Sequence, residues 1–84
     1  MRDYDDPRYK QFRQAVRKRD KGCRWPGCKC KKKIQVHHIM KWYDYPTLRY
    51  VVTNGICLCK KHHNLTRGKE MIYAPMFMRI INAL

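Results

Sequence analysis

Apolar residues recur along this chain in three different rhythms. Tyr9, Phe12 and Val16 stand at i, i+3 and i+7, which makes one stripe of a helix. Asp5-Asp6-Pro7 precedes them, an acidic cap with proline at the first helical position, and Gly22 follows as a stop. A helix over 7–20 is therefore expected, with Arg8, Lys10, Arg13, Arg17 and Lys18 on its remaining faces. Residues 1–6, with three Asp and one Arg, are expected to fray. Ile34–Ile39 and Tyr50–Leu58 read as short strands joined by the loop MKWYDYPTLR. Asn54-Gly55 splits the second candidate and leaves Ile56–Leu58 as its useful part; alone, that dipeptide is a hairpin-turn signal. KKHHNLTRG, residues 60–68, reads as a short helix ending at Gly68. Met76, Phe77, Ile80, Ile81 and Leu84 then predict a helix over 75–84, begun by Pro75, that covers the core.

Length and charge sharpen this picture. Eighty-four residues make one small domain, and a core of that size is marginal without a staple. Twenty Lys and Arg face six acids, a net charge of +14, so the compact state repels itself. A structural metal would offset the first weakness and a polyanionic partner the second. No apolar run approaches the ~18 residues of a membrane span. MRDYDDPRY has no apolar run after its charges, so no secretory leader is expected, and a cytoplasmic location follows as an expectation. Disulfides are rare there. Five cysteines fall between Cys23 and Cys59, interleaved with histidines, a pattern that points to metal.

Zn2+ takes four thiolate or imidazole ligands in a tetrahedron, often as two close pairs. Cys23 and Cys28 can form the first pair, and Cys30 could take the place of Cys28. Cys59 and His62 can form the second, because i and i+3 share a helix face. With both strand candidates between the pairs, zinc would close residues 23–68 on themselves. Cys57 and Cys30 are otherwise read as small buried thiols.

Three histidines remain beside this set. With Asn54 they form the pattern VHHI … TNGICLCKKHHN. From about Arg19 to Asn64 the chain resembles the HNH endonuclease family. The pair VHHI at a strand end and LCKKHHN at residues 58–64 carry the resemblance together. The second zinc knuckle reads Cys-x2-His where many relatives have Cys-x2-Cys, and imidazole is an accepted zinc ligand. The resemblance implies an α+β fold: a small, treble-clef-like ββα-metal domain with flanking N-terminal and C-terminal helices. It implies that His38 is the general base and that His37 and His63 hold a catalytic divalent ion. It implies that Asn54 orients the base through its side-chain carbonyl. Relatives of this size are common in phages and prophages, often beside packaging genes, which implies DNA and phage packaging proteins as partners.

Phosphodiester hydrolysis has matching needs. A histidine can take the proton of the attacking water, because its pKa lies near working pH. A divalent ion can polarise the phosphate and stabilise the leaving oxygen. A ligand set of His37 and His63 without carboxylate leans towards Mn2+, Ni2+ or Zn2+ over Mg2+. Adjacent strand residues point to opposite faces, so His37 and His38 share a site only where the strand ends or bulges. On the helix, His62 and His63 differ by about 100°, which lets one face the zinc and the other the phosphate. Arg67, four residues after His63, falls on the same face and can clamp that phosphate.

Residues 8–33 hold twelve of the twenty basic residues and one acid, Asp20. A one-signed patch suits a phosphate backbone, which positions without reading sequence. Arg13, Arg17, Lys31, Lys32, Lys33, Lys60, Lys61 and Arg67 are the candidate nucleic-acid contacts. Trp42 is expected to pack against the strands. A zinc-stapled DNA-binding module without catalysis is the alternative reading, and an RNA-directed nuclease a third.

Overall fold

A computed structural model describes residues 5–84, so the expectation for the first four residues lies outside it. The order is helix α1 (Pro7–Asp20), strand β1 (Ile34–His38), strand β2 (Gly55–Cys59), helix α2 (Lys60–Thr66) and helix α3 (Glu70–Asn82). Two 3-10 turns, Pro46–Leu48 and Val52–Asn54, lie in the long connection between the strands. The class is α+β: three helices around one antiparallel pair.

α1 begins as its sequence dictates. Asp6 caps it, its side chain accepting the Arg8 amide at 2.8 Å, and Pro7 opens the first turn. The stop comes one residue before Gly22: Lys21 takes the left-handed conformation and donates its amide to the Arg17 carbonyl.

The two strands pair in the register Ile34↔Cys59 through His38↔Gly55. Alternation splits the core in two. On one face Phe12, Val16 and Cys57 pack together under α1. On the other, Ile56 and Leu58 meet Ala74, Phe77 and Ile81 of α3. The sheet is thus a thin layer between two helices.

Gly55 explains how closely α1 sits. A Cβ there would stand 2.7 Å from side-chain atoms of both Phe12 and Val16. Its φ of −114° is ordinary extended backbone. The Asn54-Gly55 pair is therefore not a hairpin turn: Asn54 ends a 3-10 turn and Gly55 starts β2 because a helix presses on it. Pairing begins at Gly55 rather than Tyr50, since 50–54 are occupied by turns.

Asp20 fastens the end of α1 to the sheet. Its carboxylate is fully buried, 2.7 Å from Arg19 and 3.3 Å from Arg24, and it accepts the Cys57 amide at 2.9 Å. Arg19 also donates to the Val52 and Gly55 carbonyls. Two of the basic residues in 8–33 are thus internal struts.

The last helix departs from expectation. It starts at Glu70, and Pro75 lies inside it. Interior proline costs about 3 kcal/mol. Phe77 and Ile81 are buried on the sheet, and burial of such side chains is worth about 1.5–3 kcal/mol each. In the turn before the proline, Ala74 is also buried in the core and Tyr73 packs against it. Packing thus holds that turn despite the lost hydrogen bond, and Pro75 itself is exposed. No helix among the described residues is long and apolar enough to cross a membrane.

Candidate functional site

The chain changes direction sharply at Cys59, which ends β2 and caps α2. Cys59 and His62 therefore lie on one helical turn. Opposite them, the segment after α1 folds back on itself. The Cys23 amide bonds the Cys30 carbonyl and the Cys28 amide bonds the Trp25 carbonyl, both at 2.9 Å, with Gly27 at φ +78°. The result brings Cys23, Cys28, Cys59 and His62 together, their ligand atoms all within 4.8 Å of one another.

The donor set fits Zn2+. His62 Nδ1 lies 3.2 Å from Cys59 Sγ and 3.6 Å from Cys23 Sγ. Tetrahedral zinc bonds of ~2.3 Å to sulfur and ~2.0–2.1 Å to nitrogen put S and N about 3.6 Å apart. Trp25 stacks on the His62 ring at 4.6 Å and 4°, which fixes the ring plane. Burial, then the charge of Lys61, holds the His62 pKa down, so the imidazole stays neutral and ready to bind. The His62 amide pulls the Cys59 thiol down, while burial pushes Cys23 up to about 11. Cys30 is outside this cluster and Cys57 is buried under α1. The choice between Cys28 and Cys30 is thereby resolved towards Cys28.

The three remaining histidines converge from two elements. Alternation does send His37 and His38 to opposite faces. His37 meets Phe77 at 5.5 Å and His63 at 5.6 Å between ring centres. His38 stacks on Phe12 at 4.7 Å and meets Trp42 edge-on at 5.3 Å. Because β1 ends at His38, both nonetheless border one pocket of about 370 Å³. His63, Lys41, Tyr43, Arg67 and Glu70 also line it, beside Trp42. On α2, His62 faces the cysteines and His63 this pocket, as the 100° offset predicts.

Comparison of the chain with family models, curated proteins and solved structures gives no match. The site is characterised by its own geometry.

That geometry moves the role expected of Asn54. Its Oδ1 accepts the Met40 amide at 2.8 Å, and its Nδ2 donates to the Met40 and Leu48 carbonyls. The side chain is thus tied to the loop rather than aimed at His38. The partner of His38 is the next carbonyl: Nε2 lies 2.9 Å from the Arg49 oxygen. A carbonyl only accepts, so Nε2 is the donor, and in the neutral imidazole Nδ1 keeps the lone pair. Asn54 thereby fixes the loop that offers the Arg49 carbonyl to His38. Arg49 in turn donates to the Trp42 carbonyl and lies over the Trp42 ring. Nδ1 of His38 is buried, with Phe12 stacked on the ring and Trp42 edge-on to it.

Of the candidate phosphate contacts, Arg67 stands at the pocket. Arg13 and Arg17 share a shallow groove on α1, and Arg17 and Lys31 share the next. Lys32, Lys33, Lys60 and Lys61 are exposed. Lys41 and Glu70 escape a motif-based reading. A usable signal exists for Glu70: it is the only acid after Asp44 in a strongly basic chain. Burial raises its pKa, but its own amide, the Gly68 amide, Lys41 and His37 more than offset this, and the group stays an anion.

Proposed function

We propose that this chain is a metal-dependent endonuclease of the HNH type that hydrolyses phosphodiester bonds in DNA. The supporting observation is the convergence of His37, His38 and His63 on one pocket beside Lys41 and Arg67. In this reading Lys41 and Arg67 bind the phosphate. His38, held in the Nε2-protonated tautomer by the Arg49 carbonyl, takes a proton from water at Nδ1. His37 and His63 would hold a divalent ion, which when bound supplies positive charge to the phosphoryl and leaving oxygens. The zinc at Cys23, Cys28, Cys59 and His62 would be structural, fixing α2 and hence His63. The grooves along α1 would track the phosphate backbone.

The test is digestion of supercoiled plasmid with Mg2+, Mn2+, Ni2+ or EDTA, comparing wild type with His38→Ala. Cleavage is expected with an ion and absent with EDTA. His38→Ala should stay folded and bind DNA without cutting it. Full activity in that variant would remove the base assignment. Because Nδ1 is buried, a second reading stands beside the first: a zinc-stapled nucleic-acid-binding module. DNA binding with no cleavage under any ion would establish that reading, and an RNA substrate in parallel separates the two polymers.

A further inference from the structure

Glu70 is the one carboxylate on the wall of the histidine pocket, and neither the zinc cluster nor the base uses it. As the first residue of α3 it is placed to favour the helix dipole. A surface position would serve that purpose equally well. Glu70 is instead half-buried, on the same pocket wall as His37 and His63. The left-handed turn at Gly68 (φ +76°) folds α3 back so that its start lies beside the end of α2.

Three groups with metal-binding atoms thus border one cavity from three elements: His37 from β1, His63 from α2 and Glu70 from α3. They are not drawn together as the cysteine cluster is. The glutamate has three rotatable side-chain bonds, so its carboxylate can be repositioned within the pocket it lines. We infer that Glu70 is the third protein ligand of the ion proposed at His37 and His63, giving two imidazoles and one carboxylate. The inference rests on the function proposed above. It alters the expected metal preference. A neutral pair leans towards Mn2+, Ni2+ or Zn2+ over Mg2+, and an added anionic oxygen ligand strengthens binding of the harder Mn2+ and Mg2+ more than that of Ni2+.

The test is calorimetric titration of the zinc-loaded protein with Mn2+ and separately with Ni2+, for wild type, Glu70→Gln and His37→Ala. Zinc content and circular dichroism are checked for each. Wild type should bind one added ion. Glu70→Gln should lose Mn2+ affinity by about tenfold or more, with a smaller loss for Ni2+. His37→Ala should lose both. Wild-type Mn2+ binding in Glu70→Gln, with binding lost in His37→Ala, overturns the role of Glu70 and leaves the pocket reading intact. An equal loss for both ions in Glu70→Gln marks a loosened pocket and also overturns it. If wild type binds no added ion, the two-histidine site itself falls, and this inference with it.

Discussion

Chelating metal from Cys23, Cys28, Cys59 and His62 is expected to unfold the domain rather than loosen it. Domains have net stabilities of roughly 0.05–0.15 kcal/mol per residue, so a chain this long has about 4–13 kcal/mol in all. Structural zinc contributes about 10–16 kcal/mol in small domains at neutral pH, as much as that whole margin. The structure shows why little would remain. Cys23 and Cys59 belong to the same core cluster as Phe77 and Ile81, and Trp25 packs against it. Across to the sheet the cysteine turn is tied by the Arg24 amide to the Cys57 carbonyl at 2.9 Å. Between residues 23–28 and α2 the Trp25–His62 stack and bonds to a shared ion would be the ties. The assay is titration with a chelator, following circular dichroism and zinc release by a dye. The two transitions should coincide, and Cys59→Ser should behave like the stripped protein. A zinc-free chain that keeps its helical signal and melts cooperatively would refute the reasoning. The pH dependence has a definite sign. Burial holds metal-free Cys23 near 11, so zinc must displace its proton, and zinc affinity rises with pH. The slope should be about tenfold per pH unit for each proton displaced.

Asp20→Ala leaves Arg19 and Arg24 partly buried without their carboxylate and should cost about 3–5 kcal/mol, read by urea denaturation in excess zinc. A loss under about 1 kcal/mol would contradict the strut assignment. Gly55→Ala forces Phe12 and Val16 off β2 and should cost about 1–3 kcal/mol. It should also disturb His38, which stacks on Phe12, so cleavage should fall while zinc content holds. Log DNA affinity should fall linearly with log salt concentration, and Arg13→Ala, Arg17→Ala or Lys31→Ala should each reduce that slope by about 1. A flat salt response would argue against phosphate contact.

Much of the framework was legible because its signals are local. Asp6-Pro7 announces α1, and Cys59-x2-His62 places two ligands on one turn whatever surrounds them. His62 and His63 differ in direction by helix geometry alone. What escaped depends on distant partners. Pro75 looks like a helix start until Ala74 and Tyr73, in the turn before it, are seen packed in the core. Asn54 resembles a base orienter until its side chain is found on Met40 and Leu48, contacts made by an irregular loop with no periodic pattern. Gly55 looks like turn chemistry, yet its reason is the approach of a helix far away in sequence. Asp20 and Glu70 were visible as isolated acids in a basic chain, but only folding shows that one is a buried strut and the other a pocket wall.

The two sides of α2 are most directly examined in crystals soaked with Mn2+, by anomalous scattering at the zinc and manganese edges. Two separate peaks are expected. A zinc peak should lie among Cys23, Cys28, Cys59 and His62, and a manganese peak between His37 and His63. A zinc peak alone, with the histidine pocket holding only water at saturating Mn2+, would contradict a metal-dependent nuclease and leave a zinc-stapled binding domain.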